Sequence, residues 1–175
     1  MSEPFSRIVR IDTVSSDGQT FEIEASPAER GALAQAYKLA SVESLRATLE
    51  VKRASRGGAR VRGTVHGELT QTCVVSLEPF PATVEEEVDV RFAPPAEETS
   101  GRGATSEALV VAVDEDEPDP LIDGRVDIGA LAAEFFALGL DPYLRKPGVA
   151  FEPPEEEGEE ASPFAALRDK APPKP

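Results

Sequence analysis

Two long stretches of alternating residues, 42–54 and 59–75, flank a Gly57-Gly58 pair and oblige the chain to form a β-hairpin with one buried face. In the first stretch Leu45, Ala47, Leu49 and Val51 hold odd positions, while Arg46, Thr48, Glu50 and Lys52 hold even ones. In the second, Val61, Gly63, Val65, Gly67 and Leu69 are odd, and Arg60, Arg62, Thr64, His66 and Glu68 are even. Side chains alternate across a strand, so both apolar sets reach one core only if odd pairs with odd. A two-residue Gly57-Gly58 turn would pair odd with even. A three-residue loop, Arg56-Gly57-Gly58, restores the match and puts a glycine where the loop turns left-handed. That register sets Arg46 against Glu68 and Lys52 against Arg62.

The other elements follow from local signals. Residues 5–14 are rich in β-branched and aromatic types and read as a strand, Ser15-Ser16-Asp17-Gly18 as a turn, and residues 20–24 as a second strand. Ser26-Pro27-Ala28-Glu29 is a capping box with proline at the first helical position, predicting a helix to about residue 38. Residues 82–92 alternate again, with Val84, Val88, Val90 and Phe92 on the apolar side. A short strand is expected over 109–113. Asp127 caps a second helix, 128–140, whose apolar stripe is Ile128, Leu131, Phe135 and Leu138. The chain thus reads as α+β: a curved antiparallel sheet of five to six strands with two helices. Residues 1–150 form the domain, with 94–107 a mobile acidic loop. Residues 151–175 are a disordered acidic tail in which only 162–168 can dock, through Pro163, Phe164 and Leu167.

Charge is segregated along the chain. The net charge is −15, yet residues 38–62 carry seven basic side chains against two acidic ones, a local balance of +5, so the remainder sums to −20. On the hairpin the excess is confined to Lys52, Arg53, Arg56, Arg60 and Arg62. Like charges directly opposite one another destabilise a strand pair. A basic tip of this kind fits an anionic partner, and also fits an edge hairpin kept from self-association by charge.

Little else carries chemistry. One cysteine and one histidine fall short of a structural metal site, so no metal or cofactor is expected. Cys73 belongs with the core and His66 with the solvent face. No nucleophile–base pair or phosphate-cradling glycine motif is present, and the acidic runs 114–119 and 155–160 read as solvated, which points away from an enzyme. No apolar run approaches the roughly 20 residues of a membrane span, and the N-terminus lacks a signal-peptide core. A single cysteine suits the reducing cytoplasm.

Several segments, in consistent order over about residues 5–168, resemble the YceD family of large ribosomal RNA subunit accumulation proteins. They are residues 72–80 (TCVVSLEPF), 114–121 (DEDEPDPL), 123–128 (DGRVDI), 141–148 (DPYLRKPG) and 162–167 (SPFAAL). The resemblance implies a cytoplasmic, non-enzymatic factor for synthesis, processing or stability of large-subunit rRNA. It supplies a candidate anion for the hairpin, rRNA or a precursor particle, to be met by Lys52, Arg53, Arg56, Arg60 and Arg62. The alternative is an acidic adaptor or chaperone for a basic ribosomal protein. Many members carry a second cysteine shortly after the first; here Val74, Val75 and Ser76 follow Cys73, so a zinc site is not implied.

Overall fold

A computed structural model of the protein describes residues 4–95 and 118–151. The expected strand over 109–113, most of the loop 94–107 and the tail segment 162–168 lie outside them. The element order is β1 (Ile8–Arg10), a 3-10 turn (Ile11–Thr13), β2 (Gln19–Glu24), α1 (Pro27–Tyr37), β3 (Ser41–Arg53), β4 (Ala59–Thr72), β5 (Pro79–Ala93), β6 (Asp119–Pro120), β7 (Arg125–Asp127) and α2 (Ile128–Leu138). This is an α+β architecture with an open five-stranded sheet, order β2-β3-β4-β5-β6, and a two-stranded sheet of β1 and β7. The long strands pair antiparallel; β6 joins β5 in parallel through two residues.

The hairpin keeps the expected parity but not the expected register. Val51 faces Val61, Ala47 faces Val65 and Leu49 faces Gly63, all on the buried side. The loop is three residues long but is Ser55-Arg56-Gly57, closed by a bond from Ala54 N–H to Gly58 O of 2.9 Å. Arg56 and Gly57 take the left-handed turn, at φ +58° and +77°. Gly58 serves a different purpose. It is extended and buried, and a Cβ there would come within 2.6 Å of the Phe92 carbonyl oxygen on β5. Close strand approach therefore claims the second glycine, and every pair shifts by two. Lys52 faces Arg60 rather than Arg62, and Arg46 faces His66 rather than Glu68.

The strand expected over 5–14 shortens to Ile8–Arg10. Phe5, Val9, Ile11 and Val14 are all buried, a spacing no single strand face can satisfy. The chain instead winds into its 3-10 turn, where Ile11 N–H donates to Gly124 O at 3.0 Å and the Thr13 hydroxyl to Arg10 O at 2.7 Å.

Helix α1 begins as its capping box requires. Ser26 N–H donates to Glu29 Oε2 at 2.8 Å, and Ser26 Oγ accepts from Glu29 N–H. Glu29 also receives both arms of the Arg7 guanidinium, at 2.7 and 3.1 Å, and Arg7 in turn lies over the Phe5 ring. The bond from Arg7, aided by Ser26, lowers the Glu29 carboxyl from an ordinary 4.5 to about 2 against the opposing effect of burial. A depressed folded pKa stabilises above the unfolded value, and that contribution is lost as pH falls. Glu29→Gln keeps a capping-box acceptor but loses the ion pair. Urea unfolding is expected to place the variant below wild type at pH 7, with the gap closing between about pH 4.5 and 2.

Asp127 caps α2 as expected and does more. Its Oδ1 accepts from Gly129 and Ala130 N–H at 3.0 Å and from Arg7 N–H at 2.7 Å, while Oδ2 accepts from the Ser6 hydroxyl. Burial acts to raise this carboxyl, but the hydrogen bonds outweigh it and its pKa is lowered. The apolar stripe of α2 is rotated from the expected one. Phe136 is fully buried, Phe135 is only partly covered and Leu138 is 70% exposed. The reason lies on β4: Gly67 leaves the space that the Phe136 ring fills, since a Cβ on Gly67 would sit 2.4 Å from that ring.

Candidate nucleic-acid interface

The outward face of the sheet is organised in cross-strand rows. Even positions of β3 and β4 and odd positions of β5 share this face, so register alone decides which charges meet. At the hairpin tip, Lys52, Arg60 and Arg91 lie side by side on β3, β4 and β5. The next row is Thr20, Glu50, Arg62 and Asp89, then Glu22, Thr48, Thr64 and Glu87, then Glu24, Arg46, His66 and Glu85. The face is thus basic at the tip and acidic on the flanks away from it.

The sequence-predicted residues divide into three groups. Arg60 and Arg62 both hold Asp89: Arg60 Nε and Nη2 donate at 2.7 Å each, and Arg62 Nε donates at 3.2 Å. Asp89 is consequently pulled well below the usual carboxylate range, by Arg60 first and Arg62 second, and the Arg60 guanidinium is raised by the same bond. Lys52 and Arg56 make no ion pair or hydrogen bond among the described residues. Arg53 has an odd position on the inward side of the tip, where Nε donates to Ile11 O at 3.0 Å and Nη2 to Asp12 O. Its guanidinium fastens the 3-10 turn to the hairpin, away from the outward row. Arg46 is bridged to Glu24 on β2 at 3.4 Å, while Glu68 receives the Ser44 hydroxyl instead.

Arg91 was not among the expected residues and completes the row. Its alternation within residues 82–92 marks it as outward-facing, but only the pairing of β5 with β4 shows that it stands beside Arg60. Exposed ion pairs such as those on Asp89 contribute little stability, so a phosphate can compete for the same guanidinium donors.

Hollows adjoin the sheet at both ends of the long strands. One, of about 330 Å³, lies under the tip between the 3-10 turn, the hairpin loop and residues 121–124; its lining includes Arg10, Asp12, Arg53, Ala54, Leu121 and Asp123. Another, of about 310 Å³, lies between the far end of β4–β5 and the chain after α2, against Leu69, Phe80, Val84, Leu140 and Leu144. Near it Cys73 is buried, as expected. The Cys73 Sγ accepts from Val75 and Ser76 N–H at 3.4 Å and from Lys146 N–H at 3.3 Å. Ser76, then Lys146, lower this thiol to about 6 despite its burial, and the contacts hold the 73–78 turn against residues 144–146. No group of three potential metal ligands exists among the described residues, and no helix there is long and apolar enough to cross a membrane.

Neither a protein of curated function nor a solved structure matches the chain. A family model described as "Large ribosomal RNA subunit accumulation protein YceD" matches residues 61–170. The match starts one residue before Arg62 and includes Arg91, whereas Lys52, Arg53, Arg56 and Arg60 precede it. With well over half its length matched, the chain belongs to the YceD family of large ribosomal RNA subunit accumulation proteins.

Proposed function

We propose that this protein supports accumulation of large-subunit rRNA by binding rRNA, or a precursor particle that holds it, through the tip of the β3–β4 hairpin and the adjoining end of β5. The contacts are Lys52, Arg56, Arg60, Arg62 and Arg91, with Arg53 bracing the tip from the inward side. The role is that of a binding factor in the cytoplasm, with no reaction catalysed. Residues 1–150 act as one domain and 151–175 as a tail.

One observation carries this reading: three cations stand abreast on three neighbouring strands, and two of them, Lys52 and Arg91, have no acidic residue directly opposite. Such a row costs the fold up to about 1 kcal/mol for each adjacent like-charge pair. Its benefit is a ready-made site for a polyanion, because every phosphate it neutralises releases counterions. The acidic flanks at Glu22, Glu24, Glu85 and Glu87 repel the rest of the RNA and confine contact to the tip.

Binding to an rRNA fragment across a salt series tests this. Log affinity should fall linearly with log salt, and Arg60→Glu with Arg62→Glu should make that slope shallower by roughly 1.5, at about 0.7–0.9 per phosphate contact. An unchanged slope in the double variant would remove these two arginines from the interface.

A second reading rests on the apolar hollow beside Leu69, Phe80 and Leu144. The protein then acts as an adaptor whose acidic loop and tail hold a basic ribosomal protein, with Pro163, Phe164 and Leu167 docking on the adaptor, at this hollow, or on its partner. Deletion of residues 151–175 would then abolish partner capture and leave rRNA crosslinking intact.

A further inference from the structure

The hollow under the hairpin tip has a chemistry unlike that of the outward row. Its floor is apolar, formed by Ile11 and Leu121, which are 6% and 4% exposed. Its polar lining residues include two arginines, Arg10 and Arg53, and two aspartates, Asp12 and Asp123. The Asp12 carboxylate is occupied by Arg10, at 2.6 and 3.1 Å. Asp123 makes no ion pair or side-chain hydrogen bond among the described residues. It stands at the first corner of a tight turn with Gly124, where both residues are left-handed, at φ +52° and +64°. The turn is closed by Arg125 N–H donating to Ile122 O at 3.0 Å and held in place by Ile11 N–H on Gly124 O.

A phosphate does not suit this hollow, because two aspartates share its lining. A flat, uncharged ring with donors on its edge does. Unpaired RNA bases are recognised in this way: they are splayed from the strand, laid against apolar or guanidinium surfaces, and hydrogen-bonded along an edge. A volume of about 330 Å³ is at the small end of ligand sites and admits one base with part of its ribose. Lys52 and Arg53 are neighbours on opposite faces of the same strand, so a backbone lying on the outward row is only the tip's thickness from this hollow.

We propose that the hollow binds a single unpaired base of the RNA whose phosphates lie on the Lys52–Arg60–Arg91 row. The inference rests on the RNA-binding reading above and adds that the target is single-stranded at this point. A carboxylate accepts from two adjacent N–H donors, and guanine is the one standard base that presents two side by side on its Watson–Crick edge. Asp123 therefore favours guanine.

The test uses the full chain and two probes, a G-containing single-stranded RNA 12-mer and the same sequence as a duplex. Ala54→Trp adds an indole at a residue that lines the hollow and lies on exposed, extended backbone, and Asp123→Asn keeps a residue that tolerates the left-handed turn. Ala54→Trp is expected to weaken single-strand binding about tenfold or more, the usual scale of one stacked base, with duplex binding unchanged. Asp123→Asn is expected to abolish a preference for G over A at one position of the single strand. If wild type binds RNA and Ala54→Trp binds the single strand equally well, the base site is overturned and the phosphate row stands. If wild type binds neither probe, both readings fail together.

Discussion

Gly67→Val is expected to be among the most destabilising single changes available in the sheet, lowering the unfolding free energy by about 3 kcal/mol and the melting temperature by roughly 10 °C. Gly67 is an inward position of the central strand β4, and the nearest atoms to a Cβ there are two ring carbons of Phe136, at 2.4 and 2.7 Å. The far end of a flexible side chain could swing away, but this ring is fully buried in the core, and it also packs against Tyr37 at 6.2 Å between ring centres. A new side chain must therefore push α2 off the sheet. Phe136→Ala alone opens a cavity and should cost about 3–5 kcal/mol. The two changes share one space, so the double variant should be more stable than the sum of the single losses predicts. Strict additivity in denaturant titrations would mean that the helix does not dock on Gly67.

Neutralising Lys52 and Arg91 together should move stability and binding in opposite directions. Each stands directly across from Arg60, and neither has an acidic residue directly opposite. Lys52→Gln with Arg91→Gln removes two like-charge contacts, so the fold should be as stable as wild type or more stable by a few tenths to about 1 kcal/mol. Arg60 keeps its grip on Asp89, at 2.7 Å on both oxygens, so the strands stay joined at this row. RNA binding, by contrast, should weaken about a hundredfold at low salt, at roughly 1.5 kcal/mol for each charge-assisted contact. A purely structural role for the row has no way to yield a variant that folds better and binds worse. Thermal melts and RNA titrations on the same preparation separate the two.

Much of this arrangement could be read from residues alone. The capping box at Ser26 and Glu29 and the cap at Asp127 were legible because each is a local hydrogen-bond pattern. The parity of the hairpin was legible because only odd-with-odd buries Leu49, Val51, Val61 and Val65 together. Parity leaves registers two residues apart equal, however, and the choice fell to Gly58, which is glycine because Phe92 O lies where a Cβ would be. That contact belongs to a third strand and is invisible in the hairpin's own sequence. The same holds for α2, where Phe135 and Phe136 are adjacent candidates for the core and Gly67 on β4 admits the second. The charge excess at the tip was legible as composition. Its form was not: Arg91 joined the row, Arg53 turned inward to the 3-10 turn, and Asp89 took two of the arginines.

The claim that the hairpin tip meets large-subunit rRNA is tested most directly by crosslinking in living cells, with sequencing of the bound RNA, for wild type and for Lys52→Glu with Arg60→Glu and Arg91→Glu. Wild type should crosslink to large-subunit rRNA or its precursor, and the triple variant, present at equal level and folded, should lose those crosslinks. Crosslinks of equal yield and position in the two proteins would contradict the account.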